Sequence, residues 1–337
     1  MQSFIGRLAL HGPTGRESFM FATAVVVLIA ANILTQAGQS ASRLEARILQ
    51  NSSEKVVHAP PFTDLESLCD LDGNLYFHLD TNEVMFISAN GNESHKFTLS
   101  DDEKSGFQNF ALSPSGDLYV LTLVNGEYQI VTFDDDGMPR HPVTLQVADH
   151  IFNDKFLAFD DGTVLFRGLF DEGAPSKMQG KSYTALFEPS GKLRKQLSTI
   201  AADDLPDVKK LGEARDGAVA TGEDGNAYVL TSKGINVISE NGLLVRHFDV
   251  QKPDPKSLEY KIYVSGGTIA LVLIPSESTR ITRADFLLLD ATTGEPFGLY
   301  STSPEIGPRD VCYSRQEGFT FLRRKQGQET LIKAPLN

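Results

Sequence analysis

From residue 54 to the end of the chain, apolar and polar positions alternate with a period of two rather than 3.6. Runs rich in Val, Ile, Leu, Phe and Tyr are separated by Asp-Gly, Ser-Gly and Asn-Gly pairs, the signature of antiparallel hairpins. No amphipathic pattern of helical length persists. The phrase LDGNLYFHLD at 71–80 returns as PSGDLYVLTL at 114–123, DDGTVLFRGL at 160–169 and EDGNAYVLTS at 223–232.

The glycine before the second strand of each unit falls at Gly73, Gly116, Gly162, Gly225, Gly267 and Gly318, at intervals of 43, 46, 63, 42 and 51 residues. A third run follows, then in most units a second turn (Gly91, Gly137, Gly191, Gly242, Gly294) and a fourth run. These lengths fit four-stranded units. Such a sheet cannot bury both faces alone, whereas stacking six in a closed ring does, so the pattern predicts an all-β, six-bladed β-propeller over 54–337. The last unit has three runs and then stops. The strand EKVVHA at 54–59, ahead of the first full unit, is expected to supply its missing outer strand and so close the ring.

The longest interval carries insertions at 171–181 and 200–214, read as surface loops. Tyr76, Tyr119, Phe166 and Tyr228 occupy comparable places in second strands and are expected to stack between blades. Cys69 and Cys312, the two cysteines of the chain, fall on innermost strands of the first and last blades, neighbours once the ring closes. They form either a disulfide beside the seam or two buried thiols.

Ahead of the repeats lies FMFATAVVVLIAANIL, residues 19–34. Its helical length of about 24 Å falls short of the roughly 30 Å hydrocarbon core. With Arg7 and Arg16 before it and Thr35 and Ala37 after it, segment 1–37 reads as an export signal cleaved after Ala37, or alternatively as an uncleaved transmembrane anchor. Residues 38–53 read as a polar spacer with one or two helical turns at Arg43–Leu49. The propeller is then expected outside the cytoplasm, periplasmic or extracellular, touching a membrane only through 19–37.

The formal charge is −13, and −14 once 1–37 is removed. An acidic body without a basic stripe excludes nucleic acid as an expected partner.

The units SPSGDLYVLTLVNGEYQIVTFDDDG (113–137) and TGEDGNAYVLTSKGINVISENG (221–242) resemble six-bladed propellers of the NHL, SMP-30 and TolB-like kind. That resemblance covers blade construction, and its members include lactone hydrolases, lyases and pure binding modules. It implies a possible metal site at the channel mouth with oxygen ligands from several blades. Acidic or amide residues entering blades are Asp64, Glu66, Asn109, Asn153, Asp154, Asp207, Glu259 and Asp310, joined by His150, the histidine near a blade entrance and beside acids. Oxygen donors of this kind suit Ca2+, with Zn2+ as the other candidate. Solvated loop charge is the competing reading.

No HExxH, HxH, GxSxG or phosphate-loop pattern occurs in the chain. Two functions therefore stand. The first is an exported binding or interaction protein that engages a protein, peptide or glycan through one face of the ring. The alternative is a metal-dependent, lactonase-like hydrolase or lyase at the channel mouth, where the ion polarises a carbonyl and a carboxylate or His150 manages the proton. A third possibility is a surface-anchored structural repeat protein.

Overall fold

The computed structural model describes residues 44–57, 67–79, 83–100, 106–134, 136–197, 218–231, 234–275, 283–303, 311–325 and 328–336. Two short strands come first, β1 (Arg47–Ile48) and β2 (Ser53–Val57). Blade 1 is β3 (Ser67–Cys69), β4 (Leu75–His78), β5 (Glu83–Ile87) and β6 (Ser94–Thr98). Blade 2 is β7 (Phe107–Leu112), β8 (Leu118–Val124), β9 (Glu127–Thr132) and β10 (Val143–Thr144). Blade 3 is β11 (Ile151–Ala158), β12 (Val164–Phe170), β13 (Ser182–Phe187) and β14 (Leu193–Gln196). Blade 4 is β15 (Val219–Thr221), β16 (Ala227–Thr231), β17 (Gly234–Ile238) and β18 (Leu244–Phe248). Blade 5 is β19 (Leu258–Ser265), β20 (Thr268–Ile274), β21 (Asp285–Asp290) and β22 (Pro296–Ser301). Blade 6 is β23 (Val311–Ser314), β24 (Gly318–Lys325) and β25 (Gln328–Ala334), completed by β2.

Each blade is an antiparallel meander, and the six sheets form an all-β, six-bladed propeller. The core is divided rather than central. Six buried apolar clusters occur among the described residues, each shared by two consecutive blades, the last joining blade 6 to blade 1. Alternation along one strand explains this division. In β4, Leu75 and Phe77 enter the cluster with blade 6, while Tyr76 between them enters the cluster with blade 2. A strand buried on both faces loses its polar positions, which is why the second strands read as nearly continuous apolar runs.

All four expected aromatics stack between blades, but the same rule sets Phe166 apart from the tyrosines. Tyr76, Tyr119 and Tyr228 each face the following blade, but Phe166 packs with Tyr128 of the preceding one. Leu165 stands at the tyrosine position in blade 3, and a one-residue offset reverses the face.

Ring closure occurs on the outer and inner sides of blade 6. At the outer side β2 pairs antiparallel with β25, with Ser53 opposite Lys333 and Val57 opposite Glu329. At the inner side Cys69 and Cys312 are joined in a disulfide with a Cα–Cα separation of 5.5 Å. Residues 58 and 59 of the expected closing strand lie outside the described residues.

The segment before β2 is not the helical spacer expected. β1 adds to the outer edge of blade 5 in parallel, Arg47 opposite Tyr300 and Ile48 opposite Ser301. Leu49, 3% exposed, inserts into the cluster between blades 5 and 6, and Leu44 packs on that between blades 4 and 5. An outer edge offers unpaired backbone groups, and the two leucines bury apolar surface there that a free spacer would leave in water.

Residues 1–43, which hold the proposed export signal, lie outside the described residues. Against the transmembrane reading stands one finding: among the described residues, which do not include 19–37, no helix is long and apolar enough to cross a membrane.

In a meander of this topology both Gly-containing turns of a blade open on one face, the turn face. The second-to-third-strand loops and the links between blades open on the other, the connection face. Among the described residues, that second face carries the insertion at 171–181.

Candidate functional site

The innermost strands line a cavity of about 110 Å³ on the ring axis. Its walls are mostly apolar, with Leu68, Leu112, Leu157, Val219 and Ile262 from five blades. Polar groups mark its ends. Toward the connection face stand Ser67, Lys155 and Lys261; toward the turn face stand Asp70, Ser113, Thr221 and Ser265.

Among the described residues, two side chains, Lys261 and Thr221, bridge blades that are not neighbours. Lys261 Nζ donates to Ser67 Oγ at 3.1 Å and to Ser67 O at 3.3 Å, linking blade 5 to blade 1. Thr221 Oγ1 donates to Leu112 O at 3.4 Å, linking blade 4 to blade 2 toward the turn face. The cavity is therefore crossed on both sides, by Thr221 toward the turns and by Lys261 toward the connections.

Bulges aim the lysines. Pairing slips by one residue between Phe107 and Asn109 in β7, between Asn153 and Lys155 in β11, and between Glu259 and Lys261 in β19. A bulge re-aims the residues after it and is a common device beside functional sites. Asn109, Lys155 and Lys261 thus occupy equivalent places in blades 2, 3 and 5.

The bulge of blade 3 is held by a buried amide. Asn153, 7% exposed, donates from Nδ2 to Lys155 O at 3.1 Å and Arg167 O at 3.0 Å. Its Oδ1 accepts from Asn109 Nδ2 at 3.4 Å. Its backbone N–H donates to Tyr128 Oη at 2.9 Å, and that hydroxyl donates to Ile151 O at 3.0 Å. Blade 2 therefore clamps the strand that presents Lys155, and burial raises the Tyr128 phenol above its ordinary pKa.

At the turn end, Asp70 accepts from the Asn74 backbone N–H at 2.9 Å, from Asn74 Nδ2 at 2.8 Å and from the Asp72 N–H at 3.1 Å. Burial nevertheless lifts its carboxyl above the usual aspartate value, outweighing those donors.

Of the residues singled out from sequence, Asn109 lies at a bulge and bonds to Asn153. Asp154 and Glu259 lie in the bulged stretches of β11 and β19, but their side chains fall outside the described structure, as do Asp64, Glu66 and Asp310 entirely. His150 adopts a left-handed backbone with φ 62°, rare for a residue with a Cβ. Its Nδ1 lies 3.6 Å from Asp171 Oδ1, which ties it to the 171–181 insertion.

The expectation of a Ca2+ or Zn2+ site is corrected. Among the described residues no group of three or more His, Cys, Asp or Glu side chains is close enough to hold an ion. The acids that suggested it, Asp64, Glu66, Asp154, Asp207, Glu259 and Asp310, fall outside the described side chains.

Sequence reasoning missed the lysines and Phe152, which is 64% exposed at the connection-face end of β11. A signal was present. NDKF at 153–156 and EYKI at 259–262 repeat a polar residue, a spacer, a lysine and an apolar residue at nearly the same distance before the turn glycine.

No family model matches the chain. No curated protein matches it either. Among solved structures, a luciferin-regenerating enzyme aligns over 88% of this chain and 94% of its own at 9% identity, with a TM-score of 0.49. A protein of unknown function from Bacteroides caccae aligns over 75% and 79% at 12% identity, TM-score 0.39. A puromycin hydrolase aligns over 82% of this chain and 43% of its own at 14% identity, TM-score 0.43. Likeness at this level carries no functional argument; the propeller assignment rests on the six sheets and the six clusters between them.

Proposed function

We propose that this is an exported recognition protein that binds an acidic peptide or glycan segment at the connection-face mouth of the axial cavity. The observation that carries this reading is the pair Lys155 and Lys261 lining that cavity in a chain of net charge −13. Two ammonium groups on bulged, clamped strands attract a carboxylate and hold it in one place. A ligand oxygen would join or replace Ser67 as an acceptor for Lys261. On the same innermost strand as Lys155, Phe152 offers an exposed ring of the kind that anchors interfaces.

Export is supported by the disulfide, since such bonds persist in oxidising compartments. No step of this reading requires bond-making chemistry.

The test is an array of acidic and neutral peptides and glycans probed with the full chain, followed by titration of the best binder. Lys155→Met combined with Lys261→Met should weaken binding at least roughly tenfold, and Phe152→Ser should weaken it as well. Binding that both variants leave intact would remove the axial cavity from the interface. N-terminal sequencing of protein recovered outside the cytoplasm checks the export signal, with Gly38 expected as the first residue.

A further inference from the structure

Blades 2 and 4 share a tyrosine three residues after the turn glycine and an arginine in the outer run, and differ at the residue before that glycine. In blade 4 the aspartate before the turn glycine, Asp224, accepts on Oδ2 from Asn226 Nδ2 at 2.8 Å and from two further donors. Tyr228 Oη lies at 3.1 Å and Arg246 Nη2, from the outer strand, at 3.0 Å. Blade 3 has the same kind of pair, with Arg194 Nη1 at 3.5 Å from Asp161 Oδ2. In blade 2 the tyrosine is Tyr119 and the outer-run arginine is Arg140, but the residue before Gly116 is Ser115. The acceptor carboxylate is gone while both donors remain.

A cleft of about 230 Å³ opens at this place, between blades 2 and 3. Tyr119, Arg140 and Asp117 line it, with Ile130, Val143 and Pro189 as apolar walls. Among the described residues, neither the Tyr119 hydroxyl nor the Arg140 guanidinium has a hydrogen-bond or ion-pair partner. In the matching position of blade 4, Tyr228 is only 1% exposed and satisfied.

We propose that this cleft is a binding site for a small α-amino-acid-type zwitterion with an apolar side chain. Its carboxylate takes the place that the Asp224 carboxylate holds in blade 4 and accepts from Tyr119 and Arg140. A plain anion is disfavoured, because Asp117, Asp160 and Asp161 all act on the Tyr119 hydroxyl. Asp160 is engaged by the Ser115 N–H at 2.7 Å, and Asp161 by Thr163 and Arg194. Asp117, exposed at the cleft wall and accepting, among the described residues, only from the Ser115 hydroxyl at 3.2 Å on Oδ2, meets the ligand ammonium. The side chain lies on Ile130, Val143 and Pro189. This site is separate from the axial cavity and does not depend on the function proposed for it.

Leucine is the probe, titrated calorimetrically into the full chain, with 3-methylbutylamine and 4-methylpentanoate as analogues lacking one charge each. Leucine should bind in the millimolar range or tighter, and both analogues should bind at least roughly tenfold more weakly. Arg140→Met and Tyr119→Phe should each weaken leucine roughly tenfold, whereas Lys261→Met in the axial cavity should leave it unchanged. Ser115→Asp rebuilds the arrangement of blade 4 from within, so it should abolish leucine binding and raise the melting temperature. The proposal is overturned by absence of millimolar leucine binding to the unmodified chain, by binding that Arg140→Met leaves unaltered, or by undiminished binding in Ser115→Asp.

Discussion

Cys69 and Cys312 are 243 residues apart in sequence and bonded in space, joining the innermost strands of the first and last blades. The bond lies at the inner radius of the junction that β2 completes at the outer radius. Reduction, or replacement of both cysteines by serine, should cost about 2–5 kcal/mol, because a long loop is released in the unfolded chain. Thermal melts with and without reductant measure it. The serine variant should be insensitive to reductant and still melt in one transition, since the β2–β25 pairing persists.

Loss of that outer pairing should be more damaging. Val57 is 7% exposed in the cluster between blades 6 and 1, opposite Glu329 on β25. Val57→Asp should destabilise by about 2–3 kcal/mol or more, since burial is lost and a charge enters an apolar cluster. Deletion of 51–57 uncovers the β25 edge and should abolish cooperative unfolding altogether. A deletion variant that melted at the parental temperature would show that β2 only decorates blade 6.

Asn153 holds the bulge that presents Lys155. Asn153→Ala leaves two buried carbonyls without their donor and should cost about 1–3 kcal/mol. It should also weaken ligand binding at the axial cavity. Asn109→Ala removes only the longer 3.4 Å contact and should cost less in chemical denaturation.

Gly191 and Gly116 separate two effects of one substitution. Both are left-handed, with φ of 79° and 94°. A Cβ on Gly116 meets nothing within 4 Å, whereas one on Gly191 would sit 2.0 Å from Thr144 O, where blade 3 docks on the outer strand of blade 2. Gly116→Ala should therefore cost about 1–2 kcal/mol of backbone strain. Gly191→Ala should cost clearly more, because Gln146 N–H also donates to Gly191 O at 2.9 Å and would be displaced. Equal melting temperatures for the two variants would contradict this.

Asp70 gives the pH profile a direction. Burial raises its folded-state pKa above the ordinary value of 3.8, so the folded protein holds a proton that the unfolded chain has released. Its contribution is favourable at low pH and is lost as pH rises from about 3.8 through the raised value. Asp290 acts oppositely: the Thr293 and Thr292 N–H groups and the Thr293 hydroxyl lower its pKa, and its contribution is lost as pH falls. Asp70→Asn should flatten the decline in stability above pH 3.8 while leaving the acid limb in place. Denaturant midpoints measured between acid and neutral pH test the sign.

The candidate sites were less legible than the fold. The acids entering the blades were visible in the sequence, but their number was misleading, since turn geometry consumes carboxylates such as Asp70 and Asp224 locally. Lys155 and Lys261 were overlooked because an isolated lysine in an alternating strand looks like a solvent-facing one. Only the bulges turn them to the axis. Tyr119 looked like its counterparts in blades 1 and 4, and the loss of one aspartate from its turn became meaningful once Arg140 stood beside it.

The sequence by itself determined the strands, the turns, the number of blades and the closing strand. Each of these depends on residues a few positions apart: a period of two, a glycine at a turn, a run missing at one end and present at the other. Only the tertiary structure decided which neighbour each side chain meets. It set Phe166 toward blade 2, laid β1 along blade 5, and left a tyrosine and an arginine facing a cleft. Those outcomes turn on register shifts of a single residue and on contacts between segments dozens to hundreds of positions apart, which local pattern does not encode.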